Sequence, residues 1–369
     1  MTTIDRVEIG LVNLEPKVLR TDAIQTFEVQ ETPVVTVYDS DGGVGIGYSY
    51  TIGSGGPSVI ALLEKTLAPA LIGRDPACIG GIWYDLLRRT NATSVGAITS
   101  LALAAIDTAL WDLSCRRAGQ PLWKAAGGAR DHVEVYSTEG GWLHLDQGAL
   151  IEDAVEKKQA GFKGAKLKIG RPGHEDAARL NGVRKAAGDD FQIMTDANQA
   201  FSLSEAIRRA SILEDHGVAW FEEPLPADRV RAHTALAQST NVPIAVGESM
   251  YSLSQFNEYL ANDAASIVQA DVARIGGITP WLKVAALAEA YGVAICPHFL
   301  MELHVSLVCA VPNAPWLEYI PQLDAITQSE VEIRDGIARP SNAPGLGIDW
   351  DHDALRRLSD LALVVDSPV

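Results

Sequence analysis

Asp196, Glu222 and Glu248 each end a short apolar run, in the segments Phe191-Gln-Ile-Met-Thr-Asp196, Val218-Ala-Trp-Phe-Glu222 and Ile244-Ala-Val-Gly-Glu248. The runs lie about one strand-plus-helix unit apart, and a parallel barrel brings successive strand ends to one rim. Three carboxylates on a rim make a hard, oxygen-only site suited to Mg²⁺, which fills its remaining positions with water and substrate oxygens. These three are the expected metal ligands.

Other ionisable residues end the neighbouring runs. Lys166-Leu-Lys168 puts two lysines on one face of a strand and Leu167 on the other. Their mutual repulsion and the metal are expected to lower both pKa values, as a lysine base requires at neutral pH. Asp271 and His298 follow the sixth and seventh runs, where a carboxylate can orient an imidazole and support its charged form. Glu318 ends the eighth and, if protonated, would donate a hydrogen bond to a substrate carboxylate. Lys168 and His298 are expected to face each other across the substrate. Each group taken alone has a plainer reading: a solvated or paired lysine or acid, a structural histidine after Pro297, a turn cap at Asp271. Asn198 and Gln199 either reach a metal water or substrate or form a loop turn. Glu223, beside Glu222, is expected to point away and pair with a lysine or arginine.

The elements that must position these groups are regular. Strand candidates recur at 133–136, 165–168, 192–196, 220–222, 244–246, 267–269, 294–296 and 317–319, with helical stretches such as 204–216, 253–262 and 279–291 between them. Eight such beats predict an α/β fold, a modified TIM (β/α)7β-type barrel, over residues 131–330. Residues 1–130 read as an α+β domain: extended runs at 6–14, 31–39 and 44–50, then helical spacing at 57–89 and 94–119. The segment 331–369 is expected to return to that first domain. Gly43, Gly45 and Gly47 resemble part of a dinucleotide fingerprint, but strand-like residues follow where the helix should begin, so no nucleotide site is expected.

With 369 residues, 47% hydrophobic and 21% charged, the chain can bury a large core. A net charge of −17 argues against nucleic acid or an anionic membrane as partner. The four cysteines lack the paired spacing of a zinc site or disulfide framework, and no signal peptide or membrane-length apolar run is read, so a cytoplasmic protein is expected. The Asn91-Ala-Thr93 sequon is then a chance match.

The chemistry these groups imply is removal of a proton α to a carboxylate, giving an enolate whose charge Mg²⁺ stabilises as a Lewis acid. Reprotonation on the other face racemises or epimerises the substrate; expulsion of a β-hydroxyl dehydrates it to a 2-keto-3-deoxy acid. The quoted residues, in Asp-Ala-Asn198, Phe-Glu-Glu-Pro224 and Gly-Glu-Ser249, together with Lys166-Leu-Lys168, Asp271, His298 and Glu318, resemble the mandelate racemase subgroup of the enolase superfamily over nearly the whole chain. Tyr136-Ser-Thr-Glu-Gly-Gly-Trp-Leu-His144, Arg274-Ile-Gly-Gly277, Pro297-His-Phe-Leu-Met-Glu-Leu-His304 and Pro315-Trp-Leu-Glu318 resemble its acid-sugar dehydratases, of the galactarate/talarate kind. The resemblance implies a capping domain whose loops, around 14–27 and 48–56, close over the barrel and choose a small carboxylate substrate. Lys17, Arg20 and Tyr48 on those loops, with Asn198, are the implied substrate contacts, although Lys17 and Arg20 read equally as exposed loop charges. It also implies a homo-oligomer, a dimer or octamer. A non-catalytic sugar-acid-binding protein is the remaining reading.

Overall fold

The computed structural model describes residues 2–366. Strand β1 (Ile4–Leu14) pairs antiparallel with β2 (Gln30–Asp39), which pairs with β3 (Val44–Tyr48). Turn chemistry makes the second junction: the Asp39 carboxylate accepts the backbone N–H groups of Asp41 and Gly43 at 3.0 and 2.9 Å. On the other side of β1 lies the strand Ser359–Asp366, so the end of the described chain returns to its beginning.

The open edge of β3 is covered by the helix Ala97–Arg117. Ile46 N–H donates to Asp112 Oδ2 (2.9 Å) and Tyr48 N–H to Thr108 Oγ1 (3.1 Å), so side chains satisfy backbone donors that another strand would otherwise bind. Glycine is needed for that approach: a Cβ on Gly47 would stand 2.2 Å from Ala109 N. These glycines therefore serve packing. The helix is also, by length and composition, apolar enough to cross a membrane, which the sequence reading missed, but 83% of its apolar window is buried inside the protein. An all-round apolar helix is what a core position requires. The stretch of helical spacing over 57–89 is broken into Gly56–Leu62, a π turn Leu63–Leu67, a 3₁₀ turn Ala68–Ala70 and a separate helix Ile79–Arg89. Pro69 and Pro76 lack the N–H that a continuous helix would use.

The second sheet carries the eight expected strands: β4 (Val133–Ser137), β5 (Gly164–Lys168), β6 (Gln192–Asp196), β7 (Trp220–Glu222), β8 (Ile244–Val246), β9 (Ile267–Val268), β10 (Ala294–Ile295) and β11 (Trp316–Tyr319). All neighbours are parallel, in the order β11-β4-β5-β6-β7-β8-β9-β10. The sheet curls strongly. The Tyr136 and Trp220 rings lie 5.3 Å apart, although three strand spacings separate β4 from β7, roughly 14 Å in a flat sheet. Among the described residues no ladder joins β10 to β11, and the expected ring is not closed by strand pairing; Ile295 N–H donates instead to Asn313 O at 3.0 Å. The hairpin Glu332–Arg334 and Ile337–Arg339 pairs with β4, so this part of the C-terminal segment joins the second sheet before the chain crosses to the first.

The two parts are joined where the long helix meets the helix Ile278–Ala290. Asp107 Oδ2 accepts Thr279 N–H (2.8 Å), and Trp111 Nε1 donates to Thr279 Oγ1 (3.0 Å). Burial pushes the Asp107 carboxyl up to about 7, despite the hydrogen bonds from Thr279. Since an unfolded aspartate titrates near 3.9, the folded chain holds a proton there that the unfolded chain releases between these values. Asp107 thus favours folding most below about pH 4 and loses that contribution, on the order of a few kcal/mol, as pH rises through 7. The melting temperature is expected to fall between pH 5 and pH 8, and Asp107→Asn to flatten that fall; an unchanged slope in the variant contradicts the assignment.

Candidate active site

Strand register brings the acids together. Lys168, Asp196 and Glu222 are consecutive partners across β5, β6 and β7, so their side chains rise from one face at one level. Glu248 follows β8 by two residues. Ligand oxygens of Asp196, Glu222 and Glu248 all lie within 4.8 Å of one another, and the residues are 0, 0 and 7% exposed. At such a spacing each pair of full charges repels by roughly 3 kcal/mol at an effective dielectric constant near 20. Cations must answer that repulsion.

Part of the answer comes from the chain. Lys166 Nζ is 2.9 Å from Glu222 Oε1 and 2.8 Å from Glu318 Oε1, Lys168 Nζ bonds Asp196, and Arg274 Nη1 reaches the Glu248 carbonyl at 3.1 Å. The chain's own groups act on the lysines against the sequence expectation. Burial lowers their pKa values, but Glu222 and Glu318 around Lys166, and Asp196 beside Lys168, outweigh it and raise both. The reason is count: more carboxylates than ammonium groups face each lysine. Among the acids, burial raises Glu222 to about 7 in spite of Lys166, whereas the lysines hold Asp196 below its usual range against the same burial.

Oxygen atoms remain unanswered. Glu248 Oε2 lies 3.1 Å from His298 Nε2 yet off the hydrogen-bonding direction, and this buried oxygen has no hydrogen-bond partner, nor does Asn198 Oδ1. Buried acceptors without donors beside three clustered carboxylates fit a hard cation held by oxygen.

The dyad forms as expected. His298 Nδ1 is 2.9 Å from Asp271 Oδ2, and Asp271 Oδ1 accepts the N–H groups of Ala273 (2.8 Å) and Arg274 (3.0 Å). Against the cost of burial, His298 holds the Asp271 carboxyl down to about 2; burial lowers His298, but Glu248 and Asp271 raise it overall. An Nδ1–H bonded to Asp271 leaves Nε2 facing the site. Glu318 corrects its expected role. It accepts Thr138 Oγ1–H (2.6 Å), Phe299 N–H (2.8 Å) and the Lys166 ammonium, and Lys166 and His298 outweigh its burial and hold its carboxyl below the usual range, which favours the acceptor over the donor.

The loop residues divide. Arg20 is buried, with its guanidinium donating to Glu139 and to Pro321 O (2.9 Å) and lying over the Phe27 and Phe299 rings, and it lines the site. Lys17, 72% exposed, pairs with Asp324 (2.5 Å) and does not line it. Tyr48 is not a substrate contact either: its ring packs edge-on against Trp350 in the core of the first domain, 5.5 Å away. Asn198 lines the site and its N–H donates to Asp196 Oδ1 (2.8 Å). Gln199 turns back to Glu223 and Ser249, which makes it the loop residue of the two. Among the described residues no lysine or arginine is hydrogen-bonded to Glu223; both its oxygens accept Gln199 Nε2 at 3.2 Å, and burial raises its carboxyl well above the usual range. Sequence reasoning quoted Thr138, Trp142 and Arg274 only within motifs and gave them no role; the Trp142 ring lies 5.4 Å from Lys168 Nζ. Thr138 follows β4 directly, so the strand-end rule that found the acids would have found it. Tyr50, whose hydroxyl bonds Asp271, carries no such signal because it comes from the first domain.

The space among these groups is about 40 Å³, walled by Asp22, Gln25, Phe27 and Ile52 of the first domain. A cavity of about 700 Å³ lies elsewhere, around Ser306, Thr327, Ser341 and Trp350, and none of the carboxylate trio, Lys168 or His298 lines it; chemistry rather than size marks the site.

Comparisons with known proteins agree with this geometry. Residues 8–127 match the mandelate racemase / muconate lactonizing enzyme N-terminal domain, and residues 149–354 the enolase C-terminal domain-like family. The chain is 38% identical to L-talarate/galactarate dehydratase of Salmonella typhimurium over 88% of this chain and 81% of that protein. It is 34% identical to 3,6-anhydro-alpha-L-galactonate cycloisomerase of Streptomyces coelicolor over 96% and 99%. The crystal structure of L-talarate dehydratase from Polaromonas sp. JS666, complexed with Mg and L-glucarate, superposes with a TM-score of 0.92 at 36% identity, all of each chain being covered. The domain pair, the full-length fold and the rim of acids identify the chain as a member of the mandelate racemase / muconate lactonizing enzyme family of the enolase superfamily.

Proposed function

We propose that the protein is a Mg²⁺-dependent dehydratase of an acid sugar, galactarate- or talarate-like, that forms a 2-keto-3-deoxy acid. The observation that carries this is the carboxylate trio flanked by Lys168 on one side and the His298–Asp271 pair on another. Asp196, Glu222 and Glu248 would hold Mg²⁺, which when bound supplies Lewis-acid stabilisation for charge developing on the substrate carboxylate. Lys166, locked between Glu222 and Glu318, is a fixed positive charge beside that carboxylate. Lys168 or His298, according to the configuration at the α-carbon, takes the α-proton. The opposite group gives its proton to the leaving β-hydroxyl, so that water departs and the enol left behind becomes the ketone. Asp271 holds His298 with Nε2 turned to the substrate in either role. Asn198 and Arg20, which line the cavity, are the substrate-binding candidates that remain.

The same opposed pair supports a second reading, racemase or epimerase, in which the proton returns from the other face. A sugar-acid-binding protein without activity is the third. We also propose a cap formed by residues 1–130 and completed by the strand Ser359–Asp366, and a barrel over 131–330 to which the hairpin Glu332–Arg334 and Ile337–Arg339 adds. A small carboxylate as the only partner besides like subunits, in a dimer or octamer, and a cytoplasmic location complete the proposal.

A screen of hexaric and aldonic acids with Mg²⁺ should yield a keto acid detectable with semicarbazide; silence from every acid sugar sinks the dehydratase. Inversion with solvent deuterium incorporation and no keto product would select the second reading. Lys168→Ala and His298→Asn are each expected to lower kcat by about 10²–10⁴-fold, and unchanged turnover in either removes that residue from the chemistry. Glu222→Ala should weaken Mg²⁺ binding at least about tenfold in calorimetric titration, because one of three charged ligands is lost; equal affinity would place the metal elsewhere.

A further inference from the structure

His298 is held at its edge and at its face, and both restraints lead to one residue of the first domain. The Tyr50 hydroxyl donates to Asp271 Oδ2 at 2.6 Å, the same oxygen that accepts His298 Nδ1. With the N–H groups of Ala273 and Arg274 on Oδ1, all four acceptor positions of the Asp271 carboxylate are filled. A carboxylate gripped by four donors cannot rotate. At the face, the Phe299 ring stacks on the imidazole (5.3 Å, 14°), and the Tyr50 ring lies against Phe299 at 4.7 Å. The Tyr50 hydroxyl in turn accepts Arg274 Nε at 3.1 Å, while Nη1 of the same guanidinium holds the carbonyl of Glu248. A single hydrogen-bonded chain therefore runs from Glu248 through Arg274 and Tyr50 to Asp271 and His298.

Tyr50 stands just beyond β3, far along the chain from the strands that carry the other members, and it is 1% exposed. Its place in the chain exists only with the first domain seated on the rim. Lys168 has no such hydrogen bond from the first domain among the described residues: its direct contacts run to Asp196 and the Trp142 ring, and Asp22 of that domain acts on it only through charge.

We infer that Tyr50 is a positioning residue, supplied by the first domain, that completes the His298–Asp271 dyad and, through Arg274, ties it to Glu248, so that its hydroxyl readies one of the two opposed acid/base groups and does not touch the other. This rests on the reading of His298 and Lys168 as that pair. The inference makes the site asymmetric. Loss of the hydroxyl alone should impair proton transfer at His298 and spare proton transfer at Lys168.

The test uses Tyr50→Phe, which keeps the ring on Phe299, in the Mg²⁺-saturated full chain. Two C2-epimeric acid sugars are incubated in D₂O and α-proton exchange is followed by NMR; His298→Asn and Lys168→Ala identify which epimer is deprotonated from which side. Tyr50→Phe should slow exchange about tenfold or more for the His298 epimer through kcat, with KM nearly constant, and change it less than about twofold for the Lys168 epimer. Mg²⁺ affinity and melting temperature, measured alongside, should stay near those of the wild type. Equal slowing of both epimers, or of neither, overturns the inference. Absence of exchange of either epimer by the wild type would instead overturn the reading on which it rests.

Discussion

Three carboxylates packed within 4.8 Å at a buried rim are the constraint around which the rest of the site is built. No arrangement of neutral groups makes such a cluster tolerable, because burial removes the water that would screen it. The chain answers with three cations, Lys166 and Lys168 from β5 and Arg274 after β9, and sets the His298 imidazole, after β10, beside Glu248. Each is held by a specific acid, so the electrostatic demand of the cluster also fixes the geometry of the groups that would move protons. The same demand explains why the lysines are more firmly protonated than repulsion between them alone predicts.

Around this centre the fold divides the work by rigidity. The eight strands set register, and register sets which side chains share a level, as with Lys168, Asp196 and Glu222. The first domain contributes the wall of the cavity and one hydrogen-bonding group, Tyr50, in direct contact with the dyad. Its own edge is covered by the Ala97–Arg117 helix, whose Asp107 also reaches the helix Ile278–Ala290 outside the second sheet. The helix thus links the sheet that bears the capping loops to the frame that bears the acids. The cavity among the acids is small, about 40 Å³, and Phe27 and Ile52 of the first domain form part of its wall.

Much of this was legible from local pattern. All eight strands of the second sheet lie within a residue or so of where alternation and apolar runs put them, and the acids at their ends were found because strand ends share a rim. The Asp271–His298 pair followed from the same rule. Reading was poorer where the backbone leaves regular structure: the broken stretch after Gly56 and the return hairpin on β4 depend on prolines and on edges that only the folded sheet offers.

By itself the sequence determined which residues stand on the rim, because strand periodicity is a property of neighbours along the chain. Only the tertiary structure decided their protonation and their partners. Glu318 becomes an acceptor because Lys166, Thr138 and Phe299 converge on it, Glu223 turns to Gln199 instead of a basic residue, and Tyr50 rather than Tyr48 reaches the site. Tyr50 and Asp271 are separated by 221 positions, and no local pattern carries information across such a span. Charge and hydrogen bonding act through space, so they are settled by which residues the fold brings within a few ångströms.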